Sequence, residues 1–348
     1  MSKKLLLIFV YLLPLCLLTY LLANAFIPKK PNTYAKIAQG QPISILVAGD
    51  SIGGGSGSTK PEFNFANRLK TALQKKYSVT ATIVNVSMGG NTTYAPLVRV
   101  FKLSKEHNFD LVILCSGEND HISTLGKYYE AIVRNVKTKY PNAEIISILQ
   151  SSQKTYTDKI KTIQSIAQHY NIPTADTIAP FTNGENGEYN TLTDDGIHPN
   201  NKGYAIYAKV LENLIATNVQ KKQATRLPII RKLPTPIFPD SLNHACFQAF
   251  PTNVFTRTGN TFTGKITFPR NSSIGMDVYN IRGTNSYKLL INDTQIALRR
   301  TNWKYNKKHF ITELKEITAT GECQVSITFG TQNQADTFKG FFISYPKQ

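Results

Sequence analysis

Ile43-Ser44-Ile45-Leu46-Val47-Ala48-Gly49-Asp50-Ser51-Ile52 decides how this chain reads. A short, apolar, β-branched run that stops at glycine has the pattern of a strand inside a parallel sheet. The following Gly53-Gly54-Gly55-Ser56-Gly57-Ser58 permits a sharp, open turn. Open α/β sheets place their chemistry beyond the carboxyl ends of their strands, so this turn presents the Ser51 hydroxyl where a site is expected.

A serine hydroxyl becomes a useful nucleophile at neutral pH when a base takes its proton. Asp195-Gly196-Ile197-His198-Pro199-Asn200 supplies an acid and an imidazole three residues apart, within one tight turn. Asp195 would orient the ring and stabilise the imidazolium, with His198 as general base and then general acid. Asp194 stands beside Asp195, but the spacing to His198 favours Asp195.

Gly49-Asp50-Ser51, Gly90 within Asn85 to Thr93, Gly117-Glu118-Asn119-Asp120 and Asp195 to His198 stand in the order of the four blocks of the SGNH (GDSL-type) hydrolase family, which residues 40 to 220 resemble. That resemblance implies a flavodoxin-like α/β/α sandwich that hydrolyses or transfers acyl esters, with Ser51, Asp195 and His198 as the triad. It further implies an oxyanion hole formed by the Ser51 and Gly90 backbone N–H groups and the Asn119 side-chain amide. Gly90 also reads as a residue that only permits a turn, Asn119 as a loop-stabilising side chain and Asp120 as structural.

Around these blocks, helical spacing runs from Phe63 to about Lys76, from Ile122 to Tyr140, from Tyr156 to Tyr170 and from Asn201 to Thr217. Strand patterns occupy Thr80 to Val86, Phe109 to Ser116 and Glu144 to Leu149. The alternation predicts a parallel sheet covered on both faces, with Ser51, Gly90 and Asn119 on one rim. No His-x-x-x-His, Cys-x-x-Cys or acidic cluster has ligand spacing, so no metal and no cofactor are expected. Cys115 reads as core. His107, His121, His169, His244 and His309 fall outside the blocks, and of these only His121 lies close enough to Asn119 to line a pocket.

The 348 residues suit two domains, and 41% hydrophobic content suffices for their cores. A net charge of +18 favours an anionic partner, such as phospholipid headgroups or an acidic envelope polymer. No dense Lys/Arg tract with interleaved aromatics is present, which argues against nucleic acid. Residues 1–30 combine Lys3 and Lys4, an apolar stretch from Leu5 to Ile27 and Lys29-Lys30, the pattern of an amino-terminal membrane anchor or signal segment. Its length suits a span of about 20 residues, while Ala23-Asn24-Ala25 offers a cleavage site. Either way the expected location is extracytoplasmic. Cys16 lacks the small residue that precedes a lipidated cysteine.

Residues 31–42 read as a tether, 43–220 as the hydrolase domain and 221–239 as a basic, proline-rich linker or strap. From residue 240 to 348 short β-rich runs replace helical spacing: Val254 to Thr256, Thr261 to Phe268, Ser273 to Tyr279, Tyr287 to Ile291, Gln295 to Leu298, His309 to Leu314, Cys323 to Phe329 and Phe338 to Tyr345. They predict an all-β sandwich of jelly-roll type, in outline similar to carbohydrate-binding modules. Tyr279, Trp303 and Tyr305 could stack on sugar rings or fill the core. Cys246 and Cys323 could pair outside the cell. This unit holds 13 Lys+Arg against 7 Asp+Glu.

These readings leave three functions open. The first is an exported esterase removing short acyl groups from an envelope or extracellular polysaccharide, the Gly/Ser-rich turn favouring acetyl over long chains. The second is an O-acetyltransferase using the same site, and the third a non-catalytic glycan-binding protein.

Overall fold

The computed structural model describes residues 32–222, 232–303 and 308–347. The anchor or signal segment, part of the proline-rich linker and Tyr305 lie outside the described residues. Among the described residues no helix is long and apolar enough to cross a membrane.

The amino-terminal unit is a five-stranded parallel sheet in the order β2-β1-β3-β4-β5: β1 Ile43–Gly49, β2 Ala81–Asn85, β3 Leu111–Cys115, β4 Glu144–Leu149 and β5 Thr174–Asp176. Every residue of β3 is buried because both faces are covered. On one face Leu46, Ala48, Val112 and Leu114 meet α3 Tyr94–Lys102, α4 Ile122–Lys139 and α5 Asp158–His169. On the other, Ile45, Val47, Ile113 and Cys115 meet α1 Thr33–Ala38, α2 Phe65–Tyr77 and α7 Asn201–Lys222, while the short α6 Ile178–Thr182 contributes Phe181. Strand side chains alternate between faces, so one apolar run serves two cores. This is the expected α/β/α sandwich, and its order reverses between β1 and β3, where ligands bind in doubly wound sheets.

The stretch expected as a tether contains α1 instead. The Asn32 side chain accepts from the Ala35 N–H at 2.8 Å and caps it, while Tyr34 and Ile37 are fully buried against α7. Six residues are too few to show helical periodicity, so cap and burial decide the outcome. Helix α3 also escaped prediction. Its Pro96 sits in the first turn, where a missing N–H costs no intrahelical bond.

Residues 232–238 strap across α4 and α5. The buried Glu130 carboxylate accepts from the Ile237 N–H at 2.8 Å, the Phe238 N–H at 2.7 Å and the Tyr170 hydroxyl at 2.8 Å. Arg134 donates to the Pro234 carbonyl at 2.7 Å.

The carboxyl-terminal unit packs two antiparallel sheets face to face. One has the order β11-β10-β13-β8-β7 and the other β12-β9-β14-β6. The first comprises β7 Thr256–Thr258, β8 Thr261–Phe268, β10 Gly283–Ile291, β11 Thr294–Trp303 and β13 Gly321–Phe329. The second comprises β6 Cys246–Pro251, β9 Ser272–Asn280, β12 Lys308–Ile317 and β14 Phe338–Tyr345. Their core holds Phe262, Phe268, Met276, Ile327 and Phe341. Asn292 and Asp293 both take positive φ, 47° and 60°, the two-residue turn that matches the twist of hairpin β10–β11.

Two expectations about this unit change. The Val254 to Thr256 run straddles a 3₁₀ turn, Thr252–Val254, and only the start of β7. Cys246 on β6 and Cys323 on β13 belong to opposite sheets and are free thiols, so the expected disulfide is absent. Trp303 packs edge-on against Phe310, and Tyr279 stacks on His309 at 4.5 Å. Ile311 of β12 and Phe342 of β14 extend into the core beneath α3 and α4, so the two units share apolar contact.

Replacing Glu130 with alanine leaves three donors without their acceptor, at a cost of roughly 2–3 kcal/mol. Urea unfolding of Glu130→Ala should show a lower midpoint at unchanged slope. An unchanged midpoint would mean the strap is held otherwise.

Candidate active site

Gly49 ends β1 beside the Cys115 backbone. A Cβ there would stand 2.0 Å from the Cys115 carbonyl oxygen, so only glycine lets the two strand ends run this close. The chain then turns, and the Ser51 Oγ meets His198 Nε2 at 2.9 Å. The other ring nitrogen, Nδ1, lies 2.5 Å from Asp195 Oδ2. Asp195 Oδ1 accepts from the backbone N–H groups of Ile197 at 3.0 Å and His198 at 2.7 Å. Desolvation pushes the Asp195 carboxyl up, but the His198 ring and these two N–H donors outweigh it and hold it at about 2. Asp195 thus stays ionised beside the imidazole, which suits Nδ1 as the protonated nitrogen and leaves Nε2 to face Ser51 as acceptor. Asp194 turns away and accepts from the Asn200 amide at 3.0 Å.

Gly90 and Asn119 come to the same rim. Gly90 takes φ +70°, a conformation that favours glycine, in the turn after β2. The Asn119 Nδ2 donates to the Asn91 carbonyl at 3.1 Å, which ties the third block to the second. His121 does not line the site: its Nδ1 accepts from the Ser123 N–H at 3.3 Å and caps α4. Glu118 accepts from the Ser152 hydroxyl at 2.5 Å and the Gln153 amide at 2.6 Å, holding the loop after β4.

Several residues support the site from beneath: Asp50 and Asp120 stand inside the quoted blocks, and Asp120 is structural as expected, whereas Thr93, Gln150 and Tyr204 had no assigned role in the sequence reading. Asp50 is buried under the nucleophile turn, where Gln150 Nε2 donates to both of its oxygens at 3.0 Å. The N–H groups of Ile52 and Glu118 add bonds at 3.0 and 3.3 Å. Asp120 accepts from the Thr93 N–H at 2.9 and 3.0 Å and from the Thr93 hydroxyl at 2.8 Å. Burial pushes both carboxyls up to about 6, against these hydrogen bonds. The Tyr204 hydroxyl donates to the carbonyls of Ser56 at 2.7 Å and Ile52 at 3.1 Å, closing the turn from the α7 side. The blocks mark the two aspartates but not their partners, because the contacts to Gln150 and Thr93, like those of Tyr204, form only once distant loops meet.

Asn91 joins this site to the β-sandwich. Its side chain is buried, donates to the His309 carbonyl at 3.0 Å and accepts from the Ile311 N–H at 2.9 Å, both on β12. The strand therefore holds the residue that follows Gly90. Among the described residues no group of three or more His, Cys, Asp or Glu side chains could hold a metal ion.

Asn91→Ala removes both bonds to β12 and strands one buried donor and one acceptor, a loss of roughly 2–4 kcal/mol. Calorimetry should show a lower melting temperature, with turnover falling further than for a surface Asn→Ala control. Turnover equal to wild type would disconnect β12 from the site.

Asp120 has an inverted pH signature. Its folded-state pKa, about 6, lies above its ordinary value of 3.8, so the folded state binds the extra proton between those values. Its contribution to stability is largest below pH 4 and declines as pH rises through 6. His244, lowered by burial to about 4, opposes this over the same range. A difference between two variants cancels His244: the stability advantage of wild type over Asp120→Asn should shrink between pH 4 and 7. An advantage that grows would reverse the assignment.

Residues 47–206 match the model of the GDSL-like Lipase/Acylhydrolase family. No curated protein matches the chain. Among solved structures the chain is similar to a two-domain esterase active on acetylated mannans, at 18% identity and a TM-score of 0.75, over 92% of this chain and 97% of that one. A second structure of the same description, co-crystallized with mannopentaose, gives 17% identity and a TM-score of 0.73, over 92% of this chain and 96% of that one. At such identities the likeness is one of fold, and it extends through both the parallel-sheet unit and the β-sandwich. Residues 47–206 form a domain of the GDSL-like lipase/acylhydrolase family.

Proposed function

We propose that this protein is a serine esterase that removes short acyl groups, acetyl foremost, from an acylated polysaccharide. The observation that carries the reading is the continuous hydrogen-bonded line from Ser51 Oγ through His198 to Asp195. Ser51 Oγ attacks the ester carbonyl carbon while His198 Nε2 takes its proton, and the Asp195 carboxylate stabilises the resulting imidazolium. The carbonyl oxygen becomes an oxyanion facing the N–H groups of Ser51 and Gly90 and the Asn119 amide, which exchanges its bond to Asn91 for this one. Collapse of the tetrahedral intermediate breaks the ester C–O bond, and the sugar oxygen leaves with the proton from His198. Water then attacks the acyl-enzyme, with His198 again as base, and releases the carboxylic acid.

Openness favours water over a sugar hydroxyl as acceptor, since the His198 and Asp195 side chains are 26% and 53% exposed. The similar two-domain esterase acts on acetylated mannans, which supports an acetylated polysaccharide as substrate class. The proposal includes an extracytoplasmic site, either anchored by residues 1–30 or released by cleavage after Ala25. The support for it is the sequence of that segment.

The full chain in detergent, given an activated acetyl ester with and without a sugar acceptor, should release acetate irrespective of the acceptor. Ser51→Ala or His198→Ala should abolish release, and Asn119→Ala should lower turnover by roughly 10²–10³. Acyl transfer to the acceptor with little release in water would replace the esterase by a transferase. Absence of Ser51-dependent turnover on every ester would return the protein to glycan binding.

A further inference from the structure

The site contains a side chain that neither the four blocks nor the triad mechanism uses. Lys308, the first residue of β12, reaches from the β-sandwich over Gly89 and Gly90. A Cβ on Gly90 would stand 2.6 Å from the Lys308 Nζ and 3.0 Å from its Cε, so the lysine lies where any other residue would place its side chain. A Cβ on Gly89 would stand 3.4 Å from the Ser51 Cβ and 3.7 Å from the Lys308 Nζ, so ammonium and nucleophile flank the same glycine.

This placement is held from below. Asn91 bonds the backbone of β12 at His309 and Ile311, immediately after Lys308, so the lysine stem starts from a point fixed to the Gly90 turn. The ammonium also lies 5.7 Å from the centre of the Trp303 ring. A surface lysine usually extends its charge into water. Lys308 instead stays half-buried, and the loss of hydration lowers its pKa. No carboxylate among the described residues forms an ion pair with it. Asp277, on the strand that pairs with β12, is already engaged by His309 Nε2 at 2.5 Å. A partly dehydrated cation without a carboxylate partner, beside a nucleophile, is an anion-binding arrangement.

We infer that Lys308 is the residue by which this site selects its substrate, pairing with a carboxylate or phosphate that the acylated polymer carries next to the ester. The inference rests on the esterase reading above and adds to it a substrate class: an acylated anionic glycan or polyol phosphate rather than a neutral one. The ammonium stands on the side of Gly90 where a Cβ would project, and the role assigned to it is recognition of a fixed charge in the substrate. The net charge of +18 would draw such a polymer toward the whole protein, and Lys308 would set its register at Ser51.

The test compares full-length wild type, Lys308→Met and Lys308→Arg on three acetylated polymers: a polyuronate, a poly(glycerol phosphate) and neutral mannan. Wild type should prefer one or both anionic polymers, the preferred arm identifying carboxylate or phosphate. Lys308→Met should lower the ratio of anionic to neutral kcat/KM by about tenfold, the equivalent of one modest charge-assisted contact. The change should appear in KM, with Lys308→Arg restoring most of the ratio. Equal losses in kcat on charged and neutral polymers would reassign Lys308 to the oxyanion, and an unchanged ratio would remove it from recognition; either result overturns the inference.

Binding separates this failure from failure of the esterase reading. Calorimetry of non-acetylated polyuronate and poly(glycerol phosphate) with Ser51→Ala needs no turnover. Adding Lys308→Met should weaken binding of the preferred polymer by about tenfold at low salt. Ser51-dependent hydrolysis with no Lys308-dependent binding or preference leaves the esterase and sinks the inference. Lys308-dependent binding without any hydrolysis does the reverse.

Discussion

The loops at the carboxyl ends of β1, β2, β3 and β4 must bury polar backbone while staying open enough to hold a substrate, and two buried carboxylates meet that constraint. Asp50 accepts from its own turn, from the loop after β3 through Glu118 and from the loop after β4 through Gln150. Asp120 reaches from the loop after β3 to Thr93 at the start of α3. Both sit where burial raises their pKa, so their charge is a cost in stability that their donors offset. What that cost secures is geometry: the loops that carry Ser51, Gly90 and Asn119 are tied together beyond the ends of neighbouring strands, the preorganisation that the proposed reaction would use.

The division of labour between the two ends of the sheet explains what the sequence made legible. Apolar runs such as Leu111-Val112-Ile113-Leu114 had to be strands because both faces are covered, and Glu144–Leu149 and Phe338–Tyr345 were readable to their last residues. Ser51, Asp195 and His198 could be singled out because the roles expected of a nucleophile, a base and an orienting acid need particular residue types, and the structure joins the three in one hydrogen-bonded line. Asp195 and His198 lie close enough in sequence for one turn to join them. The parallel sheet and the sandwich followed from the switch in hydrophobic period near residue 240.

Elements stabilised by tertiary contact alone were not legible. Helix α1 depends on Tyr34 and Ile37 finding α7, and β6 exists as the partner of β14, with half of its residues exposed. The pairing expected of Cys246 and Cys323 failed because two cysteines in one small unit say nothing about which sheet each occupies. Asn91, Gln150 and Lys308 gain meaning only from partners 100 to 218 residues away, a separation that no local pattern encodes.

Strand β12 shows how one structural need can serve another. It is the outer strand of its sheet, and such an edge offers unpaired N–H and C=O groups to any passing strand. Here the His309 carbonyl and Ile311 N–H are taken by the Asn91 side chain, which acts as a one-residue substitute for a neighbouring strand. Ile311 packs into the core beneath α3, and Glu313 adds contacts to Lys127 at 3.2 Å and to the Tyr128 hydroxyl. Covering the edge therefore fixes the turn that carries Gly90, and the same strand, continued one residue back, brings an ammonium to the nucleophile. A sandwich tethered only by its linker could carry a sugar toward the site. A sandwich whose edge is completed by Asn91 is fixed to the turn that carries Gly90, and on the proposed reading its Lys308 would meet the substrate beside the ester.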